Sequence, residues 1–186
     1  MKTSTFLSIC LVFISSFSLT SSIFAITTLE LQNLVQCNNL NIEDYRHFSD
    51  HYDEKLRQLG WKQDFNLSQY PIYIYTHSKP FVFFERPTQE IAISRNTFTA
   101  IYRDVDIQDL SNTLDIPPSP FLNNSSRFQG EKLVHIVPAT NHHLTYYIKQ
   151  VLLEVENSSS TALLGCRFEI DKAEMEKLLR KLGTSS

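Results

Sequence analysis

Six histidines and twenty Asp and Glu residues are the groups with which this chain could hold a metal or move a proton. Only His47 and His51 have a spacing that such a site uses. They fall one helical turn apart with Asp44 on the same side, as two ligands of a metal site can. The residues between them are Phe48, Ser49 and Asp50, so the stretch HFSDH lacks the glutamate of the zinc-protease motif. On a helix, Asp44, His47, His51, Glu54 and Gln58 stand opposite the stripe of Tyr45, Phe48, Tyr52 and Leu56, which reads as a solvated polar face. His142 and His143 follow Asn141 at a hairpin end, and His77 lies in a turn between strands. His135, inside an apolar alternation, reads as a hydrogen-bonded core or half-buried residue. No GxSxG elbow presents a nucleophilic serine. The four glycines, Gly60, Gly130, Gly165 and Gly183, are dispersed, which removes the phosphate-cradling loops that need them clustered. Asp104 with Asp106 suits helix capping better than acid/base work. No residue is therefore assigned to catalysis, to a metal or to a cofactor, and no cofactor is implied.

The element around which the chain is organised runs from Gln69 to Arg103. Runs rich in Ile, Val, Phe, Tyr and Thr, broken by Pro, Ser, Lys, Arg and Asn, predict four short strands at Pro71 to Thr76, Phe81 to Glu85, Glu90 to Ser94 and Thr97 to Arg103. The short breaks between them suit an antiparallel meander. Both faces of this meander are apolar: Ile72 and Ile74 oppose Tyr73 and Tyr75, and Phe81 and Phe83 oppose Val82 and Phe84. Two readings follow. Either other elements cover both faces, or the sheet exposes an aromatic surface to a partner, with Tyr73, Tyr75 and Phe84 as its residues.

Around the meander, TLELQNLVQC has a helical rhythm with Glu30 in its first turn. The segment 41–60 predicts the clearest helix, with Asn41 as N-cap, Ile42, Tyr45, Phe48, Tyr52, Leu56 and Leu59 on one stripe and Gly60 as terminator. Trp61 follows as a core plug. Asp104 or Asp106 caps a short helix carrying Ile107, Leu110 and Leu114, and the Pro-, Asn- and Ser-rich run DIPPSPFLNNSSRF is the principal loop. EKLVHIVP reads as a strand. LTYYIKQVLLEVEN fits helix or strand by periodicity, and its β-branched and aromatic content tips it to strand. ALLGCRFEI returns as a strand, and a final helix capped by Asp171 groups Ala173, Met175, Leu178, Leu179 and Leu182 with Gly183 as its stop. Helices at both ends and about seven strands between them predict an α+β, two-layer domain with a mostly antiparallel sheet.

At 186 residues the chain suits one domain. Its first 25 residues, with Lys2, an apolar run from Phe6 to Phe17 and Ala25, follow the order of a secretory signal peptide. Residues 1–25 are thus expected to be removed and 26–186 to form the domain; the alternative is an uncleaved single-pass anchor. Removal takes Lys2 and no acid, so the net charge of −3 becomes −4, and nothing favours nucleic acid. The exported part keeps Cys37 and Cys166, which in an oxidising compartment most simply form one disulfide, the alternative being two buried thiols. Asn66, Asn123, Asn124 and Asn157 lie in N-x-[ST] sequons, usable only in a eukaryotic secretory route.

The order LxxLVxC, a Tyr/Phe helix ending in LGW, the strand block, DLSNTL and LLGCRFE resembles small exported proteins of Gram-negative bacteria with no assigned activity. That resemblance implies a periplasmic address and the cysteine pair, and no mechanism. The expected function is that of an exported accessory protein, non-catalytic, which binds another macromolecule as an inhibitor, immunity-like protein or envelope-complex factor. Its partner is expected to be another protein, with no nucleic acid and no membrane after signal removal. The rival readings are an exported hydrolase whose His and Asp side chains meet only in the fold, and a carrier of an apolar ligand.

Overall fold

The strand-rich block becomes half of a single seven-stranded open sheet, ordered β1-β2-β3-β4-β7-β6-β5, in which each pair of neighbours is antiparallel. This computed structural model describes residues 27–38, 42–120, 127–155 and 158–183. The expected signal peptide, Asn41, and the sequon residues Asn123, Asn124 and Asn157 lie outside the described residues. The elements are α1 (Thr28–Gln36), α2 (Ile42–Ser49), α3 (Tyr52–Gln58), β1 (Lys62–Gln63), β2 (Tyr73–Phe83), β3 (Arg86–Ser94), β4 (Thr97–Tyr102), α4 (Ile107–Leu114), β5 (Gln129–Val137), β6 (Tyr146–Val155), β7 (Ser158–Ile170) and α5 (Lys172–Gly183). The architecture is the expected α+β one, with helices at both ends of the described chain and Tyr146–Val155 of the ambiguous segment forming a strand.

Two meanders make the sheet, β1 to β4 and β5 to β7, and they join where β4 pairs with β7. Gly165 sits in that seam opposite Thr99. A Cβ there would stand 2.0 Å from the Phe98 carbonyl oxygen, so only glycine lets the two backbones approach.

Register places Tyr73, Ile93, Phe98 and Cys166 in one row across the sheet, and Tyr75, Ile91, Ala100, Leu164 and Leu152 in the next, on the same face. Onto this face pack α1, through Leu31, Leu34 and Val35, and α2, whose Tyr45 ring stacks on Phe168 at 4.1 Å between centroids. The Cys37–Cys166 disulfide pins the end of α1 to the middle of β7, with Cα atoms 5.3 Å apart. On the opposite face Ala92, Thr99 and Val151 are also buried, and beside them run Lys149, bonded to Glu169 at 2.9 Å and Glu131 at 3.5 Å, and Arg167 near Glu131. Lys149 and Arg167 stand directly opposite each other, and the Glu131 and Glu169 carboxylates beside them offset the like charges.

The structure corrects three local expectations. The first two runs of the meander are one strand: β2 passes through His77–Pro80 with a register shift between Thr76 and Phe81, and the reversal falls at Phe84–Glu85. The single helix expected over 41–60 is broken. His51 N–H donates to the Phe48 carbonyl at 3.1 Å, which leaves the His47 carbonyl to Lys55 Nζ at 2.7 Å. Lys55 is only 6% exposed, its ammonium also reaches His47 Nδ1 at 2.6 Å, and burial holds its pKa below the usual lysine value. The side chain thereby caps α2 from within the next helix. His135 is exposed together with Leu133, Val134 and Ile136, because β5 is an edge strand and this stretch of it is covered on neither face. The last helix runs to Gly183, the final described residue, and none of its described side chains is buried.

Candidate functional site

Between β1 and β2 the chain folds a loop that holds itself together. Asp64 N–H donates to the Ile74 carbonyl at 2.8 Å and closes the loop's ends. The Asp64 carboxylate accepts from the N–H groups of Asn66 (2.9 Å) and Leu67 (3.1 Å), the local turn that Asp favours. Ser68 Oγ donates to the Asp64 carbonyl at 2.6 Å and accepts from Ile74 N–H at 2.9 Å, while Gln69 and Ile72 exchange main-chain bonds at 2.9 and 2.7 Å. With its polar groups satisfied internally, the loop turns its large apolar side chains outward. Phe65 is 76% exposed and Tyr70 85%, and Leu67 and Ile72 are exposed beside them.

This loop forms one wall of an open cleft of about 300 Å³, also lined by Tyr52 of α3, Tyr73 of β2, Phe98 of β4 and Arg95. That volume is at the small end of ligand pockets and suits one or two side chains. Tyr52 and Tyr73 lie 6.2 Å apart, and burial raises the Tyr52 phenol above its ordinary pKa, so it is a neutral hydrogen-bonding group at physiological pH. Arg95 stands in the two-residue turn between β3 and β4, rooted by Tyr45, whose hydroxyl donates to the Arg95 carbonyl at 3.3 Å.

The three residues expected at a partner surface separate. Tyr73 is half-buried and lines the cleft. Tyr75 is 1% exposed and lies beneath α3, with its ring edge-on to Tyr52 and its hydroxyl donating to Asp53 at 2.9 Å, so it supports the site from the core and is not part of a surface. Phe84 sits half-buried at the opposite end of β2, on the order of 30 Å along the strand from Tyr73. Its N–H is held by Gln36 Oε1 at 2.6 Å, and it cannot border the same cleft. The aromatic face of β2 is thus the one that the helices cover, and the aliphatic residues Ile72 and Val82 are the exposed ones. What sequence reasoning passed over is the loop itself. Its signal was present: Phe65, Leu67 and Tyr70 alternate with Asp, Asn, Ser and Gln in no helical or strand period, so turn formers bind one another and leave the apolar groups outside.

Of the groups that could do acid/base or metal chemistry, some stand in water and others serve the local fold. Asp44, His47, His51, Glu54 and Gln58 are all exposed. His77 Nδ1 meets the Lys79 main chain, and His143 Nδ1 the Leu144 carbonyl. Among the described residues no group of three or more His, Cys, Asp and Glu side chains could hold a metal ion. Asp106 and Glu154 line a shallow depression beside α4, where Asp106 caps the helix by accepting from Asp109 N–H at 3.0 Å and Glu154 accepts from Phe128 N–H at 2.7 Å. A second depression holds Arg86 and Arg103, but Arg103 is clamped by Glu90 in two bonds of 2.8 and 2.9 Å. No described helix is long and apolar enough to cross a membrane, and the Cys37–Cys166 bridge is consistent with an oxidising compartment outside the cytoplasm.

No family model, no curated protein and no solved structure matches this chain.

Proposed function

We propose that this chain is an exported accessory protein that binds another protein through the 64–74 loop and the tyrosine cleft beside it, without catalysing a reaction. The observation that carries the reading is the loop: exposed Phe65, Leu67, Tyr70 and Ile72 on a backbone that is already fixed by its own hydrogen bonds. A chain gains nothing in stability by presenting large apolar groups to water, and a cluster of them marks an interaction surface. A pre-ordered backbone removes the entropy cost that binding would otherwise incur, and Tyr supplies contact area with a polar tip. The periplasmic or secreted address rests on the amino-terminal pattern and on the disulfide.

The test uses the mature chain and a variant, Tyr70→Ser with Tyr73→Ser, immobilised side by side and exposed to a soluble envelope extract of the source organism. A protein retained by the parent and lost by the variant, with the variant's far-ultraviolet circular dichroism unchanged, is the expected result. Retention that ignores the substitutions, or none at all, overturns the reading.

A further inference from the structure

We infer that the occupant of the tyrosine cleft is an acidic peptide segment of the partner, with a carboxylate on Arg95 and a neighbouring apolar or aromatic side chain against Tyr52, Tyr70 and Tyr73. This rests on the binding function proposed above and adds the chemistry of what is bound. The cleft lining contains one formal charge, that of Arg95, and no acid. Of the acids on the helices beside the cleft, Asp53 is already engaged by Arg57 at 2.7 Å and by the Tyr75 hydroxyl, and Asp50, exposed next to the lining residue Ser49, makes no ion pair with Arg95. Among the described residues no carboxylate stands within ion-pair distance of Arg95, and the side chain is exposed. The other arginines with a place in or beside a depression, Arg86 and Arg103, both face acids of their own. On a chain of net charge −3, a cleft of positive sign is a local feature and not a consequence of the overall field.

The root of Arg95 is fixed while its head is open. Tyr45 holds its carbonyl, and Asn96 exchanges bonds with Phe168, Nδ2 donating to the carbonyl at 3.0 Å and the Asn96 carbonyl accepting at 2.8 Å. A guanidinium so placed presents a planar fork that fits a carboxylate with two parallel bonds. The volume of about 300 Å³ takes a side chain and not a folded surface. Phe65 and Leu67 are exposed on the loop that supplies Tyr70 to the cleft, and a peptide that runs on along that loop can cover them, which a small acid cannot.

A displayed library of random dodecapeptides panned on the immobilised mature chain tests this, followed by fluorescence polarisation with the enriched peptides as synthetic probes. Enriched sequences are expected to carry Asp or Glu next to Phe, Tyr, Trp, Leu or Pro. Arg95→Gln is expected to weaken them about tenfold, and changing the peptide's acid to its amide should weaken binding to the parent chain but not to Arg95→Gln. The melting temperature of Arg95→Gln should equal that of the parent. Peptides that need Tyr70 and Tyr73 but carry no acid overturn this inference and leave the binding function standing. Peptides that depend on neither tyrosine overturn both. A concentration-dependent dimer that Tyr70→Ser dissolves would show that a second copy fills the cleft, and also overturns the inference.

Discussion

Three tyrosines show how much the surroundings of one residue type decide. Tyr70 is exposed on the loop, whereas Tyr75 is buried with its hydroxyl given to Asp53 and Tyr102 is buried with its hydroxyl donating to the Phe83 carbonyl at 2.6 Å. Burial is the main cause that pushes both interior phenols well above the ordinary value, and for Tyr75 the Asp53 carboxylate adds to it. In the unfolded chain these phenols ionise near pH 10, so above that value the folded state binds more protons. The stability they contribute is complete below about pH 10 and is lost as pH rises further. Lys55 acts in the opposite sense, because burial lowers its pKa and the folded state binds fewer protons there. The difference between variants therefore isolates the tyrosine effect. Tyr75→Phe is expected to lose about 1 to 2 kcal/mol at neutral pH, from a hydrogen bond to a charged group. Its urea midpoint should fall less steeply than the parent's when pH is raised from about 9 to 11. Equal slopes for the two proteins would contradict the assignment.

At the scale of elements, the hairpin between β2 and β3 turns on Phe84 and Glu85, paired on either side by Phe83 and Arg86, with φ of +50° and +60°. Two positive φ values in a two-residue loop match the twist of antiparallel strands, but the conformation favours Asn and Gly, and a side chain there costs about 1 kcal/mol. The strand-flanking contacts hold it: Gln36 takes the Phe84 N–H and Gln32 donates to the Val82 carbonyl at 3.0 Å. Glu85 is exposed and its replacement removes no packing. Glu85→Gly should thus stabilise the protein by about 1 kcal/mol, read as a rise in the urea midpoint with unchanged slope. A loss of stability would show that Glu85 contributes a contact that outweighs its backbone strain.

At the scale of the whole molecule, the sheet is assembled from two meanders, and the helical layer is tied across their seam. The Cys37–Cys166 bridge spans 129 positions of sequence and joins the C-cap of α1 to the strand on which the second meander docks. Closing so long a loop restricts the unfolded chain, and native bridges of this kind contribute about 2 to 5 kcal/mol. The Cys37→Ala/Cys166→Ala chain is expected to lose that amount in denaturation measurements, with its secondary structure retained in water. Loss of less than about 1 kcal/mol would mean that helix packing alone fixes α1 on the sheet.

By itself the sequence determined the class of the fold and its element types: apolar periodicity, β-branched content and capping residues such as Asp106 and Asp171 are local properties, and local physics is enough to read them. It also pointed to the two cysteines that pair, since Cys37 and Cys166 are the two outside the first 25 residues. Tertiary structure decided the rest. Whether a strand passes through Lys79 and Pro80 or turns there depends on its partner, and β3 offers a register that continues across the irregularity. The break after α2 depends on a buried Lys55 supplying the freed carbonyl with a donor. Which tyrosine meets water was settled by where α3 lies, because Tyr73 and Tyr75 share a face and only their distance along β2 places one in the cleft and the other under a helix. The candidate site likewise joins Tyr52, Tyr70, Tyr73 and Arg95 from a helix, a loop, a strand and a turn, separated by up to some 43 positions of sequence, and no short-range pattern encodes such a meeting.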